Sequence, residues 1–138
     1  MASEVRKRAV NPPGVPAPPS PHMSASVWVA PGPLVFLSGQ VARDLERNVV
    51  GRGDVRAQTR QALEHIRTIL QAHGATLQDV VKLTVYLTDM TLAGATAEVR
   101  REYWPTDGPA STLVAVSALG DPDILVEIDV IAAPPGGE

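Results

Sequence analysis

The stretch ILVEIDVIAA, Ile124 to Ala133, alternates in a way that fits a β-strand with two different faces. Val126, Ile128 and Val130 point one way, and Leu125, Glu127, Asp129 and Ile131 the other. The first set suits a covered core, whereas the second mixes aliphatic and acidic groups. The stretch VVKLTVYL, Val80 to Leu87, repeats the pattern. There Val81, Leu83, Val85 and Leu87 oppose Val80, Lys82, Thr84 and Tyr86. Between the two lies STLVAVSAL, Ser111 to Leu119, which leaves the turn at Asp107-Gly108-Pro109 and ends at Gly120-Asp121-Pro122.

Two helices are expected. The first covers about Val55 to His73, with Val55, Ala62, Ile66 and Ile69 on one face and Leu63 and Leu70 beside it. Asp54 is its cap and Gly74 its left-handed stop. His73 falls in the last turn, where a positive charge suits the helix dipole. His65 falls on a solvated flank. The second helix covers about Leu92 to Trp104, with Leu92, Ala95, Val99 and Tyr103 buried, and Pro105 ends it.

Upstream, SASVWVA (Ser24–Ala30) and PLVFLSGQV (Pro33–Val41) read as two strands joined in a hairpin by Pro31-Gly32. A weaker strand covers Ala42–Val50. Residues 1–21 form an arm: NPPGVPAPPSP holds six of the thirteen prolines, which remove backbone donors and impose extended geometry. The domain proper is then residues 22–138.

The element order is β-β-(β)-α-β-α-β-β. It predicts an α/β (α+β) domain with one mixed sheet of about six strands and two helices packed on one face. Two helices cover one side of such a sheet, not both. The remaining face, half apolar and half polar, predicts self-association.

Composition narrows the function classes. A chain of 138 residues is one domain with room for a real core. Its net charge is −3, with two lysines, Lys7 and Lys82, and three histidines. Nucleic acid is therefore not the expected partner. There is no cysteine, which excludes disulfides, thiol nucleophiles and Cys-based zinc sites. No apolar run reaches the length of a membrane span. Arg6-Lys7-Arg8 is followed by Asn, Pro and Gly where a signal peptide would carry its apolar region. A soluble cytoplasmic protein without membrane contact is expected. No His/Asp/Glu spacing suggests a metal, and no nucleotide-binding fingerprint is present, so no cofactor is expected. Arg52-Gly53-Asp54 spells an adhesion tripeptide, but it lies where the first helix needs its cap.

Three segments together resemble the Rid family of reactive-intermediate imine deaminases, also labelled YjgF-like or L-PSP endoribonuclease proteins. They are FLSGQVARDLERNVVGRGDVRAQTRQALEHIRTIL, DVVKLTVYLTDM and DGPASTLVAVSALGDPDILVEIDVIAA. The resemblance runs from about Pro12 to Ala133. It implies a chorismate-mutase-like fold and a homotrimer with small-molecule clefts between subunits. In deaminating members, as the resemblance has it, an acid on the final strand holds the attacking water, and Glu127 matches it. Ser38 and Gly39 match a Ser-Gly turn lining the pocket. His22 falls near a position where a tyrosine is common. An arginine after the Pro-Ala turn grips the substrate carboxylate, and here Ser111 stands in its place, followed by Thr112.

An arginine grips a carboxylate through two parallel charge-assisted hydrogen bonds, each worth roughly 1.5–3 kcal/mol. A serine hydroxyl offers one neutral bond. Carboxylate binding should then weaken on the order of tens- to thousands-fold unless another cation reaches in. Arg43, Arg100 and Arg101 are the conceivable substitutes, and nothing in the sequence places them there. Three functions follow. Glu127 activates water against a small imine, enamine or carbonyl compound, with Ser111 and Thr112 donating hydrogen bonds. Alternatively, the trimer captures a metabolite without turnover. An endoribonuclease ranks last, for want of a basic groove and an acid–base pair. Asp129 reads as a solvated or salt-bridged surface acid.

Overall fold

The computed structural model describes residues 6–135. The first five residues of the expected arm, and the last three of the chain, lie outside them. In chain order the elements are β1 (Lys7–Val10), β2 (Ser26–Val29), β3 (Val35–Phe36), α1 (Val55–Gln71), β4 (Val80–Leu87), α2 (Ala93–Tyr103), β5 (Ala110–Ala115) and β6 (Val126–Ala132). Short 3-10 turns precede β4 and α2 at Leu77–Asp79 and Met90–Leu92.

The main sheet has four strands in the order β3-β6-β4-β5, antiparallel except for the parallel β4–β5 pair. Its faces follow the alternation seen in the sequence. Leu83, Val85 and Leu87 of β4 and Val126, Ile128 and Val130 of β6 are buried under the helices. From α1, Ala62, Leu63, Ile66 and Leu70 meet them, and Val99 does so from α2. A bulge between Val80 and Lys82 breaks the alternation, so that Val80 and Val81 are both buried. Trp104 closes the end of α2, its indole N–H donating to the Leu77 carbonyl at 3.0 Å.

Among the described residues the other face carries no helix. Register places Lys82, Thr84 and Tyr86 of β4 there beside Thr112 and Val114 of β5 and Glu127, Asp129 and Ile131 of β6. Phe36 of β3 joins them opposite Ile131 and is 70% exposed.

The α1 cap is as expected, with the Asp54 carboxylate accepting from the Ala57 amide at 3.0 Å. Buried Gln58, one turn later, performs a task not read from the sequence. Its amide nitrogen donates to the carbonyls of Gly51 and Asp123, and its oxygen accepts from the Leu125 amide at 2.8 Å. The turn before β6 is thereby fixed to α1.

Two expectations for the N-terminal third change. The Pro31-Gly32 hairpin does not form, because β2 pairs with β1 in a separate two-stranded ribbon and β3 pairs with β6. Prolines at 31 and 33 deny the amide donors that a tight hairpin ladder would use. The six strands are accordingly divided two and four. The arm is strapped down over its described part: Arg8 lies over the Trp28 ring at 4.9 Å, and the Arg6 guanidinium donates to the Ala30 and Pro134 carbonyls. The third strand reduces to a bridge between Arg43 and Val49 around a turn held by the Asp44 carboxylate.

Leu83 is 1% exposed and Leu45 is 96% exposed. Leu83→Ala should lower the unfolding free energy by about 2–5 kcal/mol, and Leu45→Ala by less than about 0.5 kcal/mol. Urea unfolding of the two variants checks the assignment of the core face.

Candidate functional site

The expected site residues form two clusters. One is on the open face of the sheet. Residues 37–40 run along β6, with the Leu37 amide donating to the Val130 carbonyl and the Gln40 amide to the Ile128 carbonyl. That course lays Gly39 against the Glu127 carboxylate so closely that a Cβ on residue 39 would collide with Oε2. The glycine is needed for this approach and not for a left-handed turn. Ser38, its neighbour in the chain, is exposed.

Across the sheet, Tyr86 pairs with Glu127. The Tyr86 hydroxyl donates to Asp129 at 2.9 Å, and this bond, ahead of burial and the nearby negative charge, pushes the phenol pKa up. Asp129 is thus engaged by a neighbour. Glu127 is half-buried and makes no hydrogen bond or ion pair to another described side chain. Thr112 is also on this face, where its hydroxyl accepts from the Lys82 ammonium at 2.6 Å.

The second cluster is on the helix side. Ser111 pairs with Leu83, so its hydroxyl points away from Thr112 and toward α2. Ser111 and Glu127 therefore sit on opposite faces. They are separated by two strand spacings and three residues of register, about 14 Å in all. Within one chain they are not united.

The side chain beside Ser111 is Arg100. It is 3% exposed, and its Nη1 donates to Ser111 Oγ at 3.4 Å. Its Nε has no partner among the described residues. Burial, and next the Arg101 charge, lower its pKa to about 10, which still leaves it protonated at neutral pH. The end of α2 contributes some compensation, since a cation in the last turn faces the negative end of the helix dipole.

His22 lies close to the same guanidinium. Its ring is 4% exposed and neither nitrogen has a partner among the described residues. Burial first, then the charges of Arg100 and Arg101, lower its pKa to about 4. The segment carrying it is fixed to the turn before β5. The Gly108 amide donates to the Pro21 carbonyl, the Ser24 amide to that of Pro109, and the Ser24 hydroxyl to that of Gly108 at 2.6 Å. Gly108 touches the His22 backbone, leaving no room for a side chain.

Of the three candidate substitutes for the missing arginine, only Arg100 reaches Ser111. Arg43 donates to the Arg47 carbonyl in its own loop, and exposed Arg101 donates to the Ser20 hydroxyl. The inward turn of Arg100 had a sequence signal. Thr96, Val99, Arg100 and Tyr103 follow the i, i+3, i+4, i+7 spacing of one helix face, and Thr96 is fully buried. His65 also departs from expectation: it is half-buried, and its Nε2 donates to the Arg43 carbonyl at 2.8 Å. Among the described residues no group of three His, Asp or Glu side chains is placed to hold a metal, and no helix is long and apolar enough to cross a membrane.

The family model described as Endoribonuclease L-PSP matches residues 16–134, a span that includes both clusters. The chain belongs to this family. Among L-PSP/Rid relatives, the RutC family protein PH0854 of Pyrococcus horikoshii is 41% identical over 117 residues, covering 85% of this chain and 90% of that protein. The RutC family protein PYRAB12510 of Pyrococcus abyssi is 38% identical over the same length, covering 85% and 89%. The solved structure of the Rid-family protein YyfB from Yersinia pestis matches with a TM-score of 0.83 at 31% identity, covering 93% of this chain and 98% of that one. Rv2704 of Mycobacterium tuberculosis, a member of the YjgF/YER057c/UK114 family, matches with a TM-score of 0.65 at 36% identity, covering 79% and 84%. The chain thus has the Rid/YjgF fold and belongs to a family known for small-molecule binding.

The His22 ring gives a signed pH prediction. Its folded-state pKa, about 4, lies below the ordinary 6.5, so on acidification the unfolded chain takes up the proton first. The stability owed to the neutral ring is whole above about pH 6.5 and is lost as pH falls toward about 4. The change is on the order of 3 kcal/mol. Thermal unfolding at stepped pH should show the decline in the wild type and a flatter profile in His22→Phe. Superimposable profiles would remove His22 from the acid response.

Proposed function

We propose that this cytoplasmic Rid-family chain is a homotrimeric pocket protein that hydrolyses small reactive imines, enamines or related carbonyl compounds, with Glu127 positioning the water. The reading is carried by one observation: Glu127 has no hydrogen-bond or ion-pair partner among the described residues and is half-buried against Gly39, on the sheet face that no described helix covers. Asp129, two residues on, is occupied by Tyr86 and is not available in the same way.

The chemistry asks little of the protein. Water attacks the carbon of C=N while Glu127 takes its proton, and the nitrogen gains a proton. The carbinolamine then collapses to a carbonyl compound and ammonia, and Glu127 is restored. A positioned carboxylate contributes typically about 10²–10⁴-fold to such a proton transfer. Ser38 and Gly39 line the Glu127 side. Ser111, with its hydroxyl toward α2 and on an edge strand, joins the pocket where the β5 edge of one subunit meets the Glu127 face of the next. His22 stands near Arg100, which donates to Ser111, in that half of the site, and Thr112 faces the intersubunit side. The exposed Phe36 and Val114 supply apolar surface for that contact. The endoribonuclease description of the family model is not adopted as this chain's activity, because the open face presents Glu127 and Asp129 where a polyanion would need a basic groove.

Glu127→Gln keeps the shape and removes the base. Hydrolysis of small imines generated in situ should fall at least about a hundredfold, with the oligomer unchanged in sedimentation. Equal rates for variant and wild type would eliminate Glu127 as the water-positioning group.

A further inference from the structure

A hollow of about 390 Å³ lies between residues 39–47 and α1. That volume falls in the range of small-molecule sites, about 300–1,000 Å³. Gln40, Arg43, Arg47, His65, Thr68 and Ile69 line it. Gln40 pairs with Ile128, whose side chain is buried under the helices, so the hollow and the Glu127 carboxylate sit on opposite sides of the sheet. Gly39 is the one group the hollow shares with the Glu127 cluster. No described carboxylate forms an ion pair with Arg43 or Arg47. Asp44 also lines the hollow, but its own loop takes up its oxygens. Oδ1 accepts from the amides of Glu46 and Asn48 at 2.9 and 2.8 Å, and Oδ2 from the Asn48 side chain at 3.2 Å.

The two arginines are held in place from several sides. Arg43 Nη1 donates to the Arg47 carbonyl at 2.8 Å, the Arg43 backbone bridges to Val49, and its carbonyl accepts from His65 Nε2 on α1 at 2.8 Å. Arg47 stands at a φ of 72°, a left-handed conformation that glycine adopts freely and a long side chain seldom does. Strain of this kind gathers at ligand clamps. We propose that this hollow binds the phosphate group of a small phosphate monoester. Arg43 and Arg47 supply the charge and the N–H donors, the Gln40 amide and Thr68 hydroxyl add neutral hydrogen bonds, and Val41 and Ile69 give the organic body an apolar wall. A phosphate dianion answers two cations at once. The site stands apart from the imine chemistry proposed for Glu127 and does not depend on it.

The test is calorimetric titration of the full chain with phenyl phosphate and with inorganic phosphate, above about pH 7, where both carry the second charge. Phenyl phosphate should bind with a Kd of about 1 mM or tighter. Inorganic phosphate, which leaves the apolar wall unfilled, should bind at least about fourfold more weakly, the share of one buried methylene. Arg47→Gly and Arg43→Met should each weaken phenyl phosphate binding at least about tenfold, the share of one charge-assisted bond. Arg47→Gly should leave the thermal unfolding midpoint unchanged or raised, because glycine accepts the left-handed backbone. Arg52→Met, an exposed arginine outside the hollow, should keep the Kd within about twofold. Glu127→Gln should also keep it while losing hydrolysis, so that the two readings fail separately. The proposal is overturned if phenyl phosphate does not bind at about 10 mM, or if inorganic phosphate binds as tightly. It is equally overturned if either hollow variant retains binding, or if Arg52→Met weakens it as much, which would mean diffuse attraction to surface charge. A lowered midpoint in Arg47→Gly would overturn it too, by making Arg47 a structural residue.

Discussion

Two helices cover one face of a four-stranded sheet, and no described element of the chain covers the other. That constraint organises the molecule. The helix side takes the aliphatic residues of β4 and β6, and the hydrophobic effect is concentrated there. The open side receives whatever the alternation leaves over: an aromatic at the edge strand, a tyrosine–aspartate pair and a glutamate without a partner among the described residues. A period of two along β6 thus separates the groups that hold the fold from those available for chemistry.

The same constraint explains why the two clusters do not meet within one chain. Neighbouring residues Ser111 and Thr112 leave β5 on opposite sides. A backbone one residue out of step would exchange them, placing Thr112 beside Arg100 and Ser111 beside Lys82. Each hydroxyl instead finds its own cation, Arg100 for Ser111 and Lys82 for Thr112. The pair that looks like a single feature in the sequence is divided by the pleat.

Much of the fold was legible because its signals are local and periodic. The faces of β4 and β6, both helices and the Asp54 cap all depend on residues within a few positions of one another. The hairpin expected at Pro31-Gly32 misled because a turn signal gives no information about which strand competes for the partner. Lys7–Val10, ahead of the proline run, claims β2 from outside the local window. The site was legible in part. Glu127 and Gly39 came from the family resemblance, and their close contact is a matter of three-dimensional approach. Arg100 could be named as a candidate but not placed, because an arginine on a short helix ordinarily extends toward water. Its spacing with Thr96, Val99 and Tyr103 marks the inward face of α2, but its approach to Ser111 is a matter of packing.

The Gln58 amide has a consequence for how this chain tolerates change. By bonding the Asp123 carbonyl and the Leu125 amide it sets where β6 begins, independently of the residues that lead to it. A residue inserted in the connection from β5 would therefore be absorbed upstream of the clamp, in exposed positions around Ser117 and Ala118. Loop length and strand phase are uncoupled at that point. Drift in the connection can reshape that exposed surface without rotating Glu127 toward the hydrophobic interior.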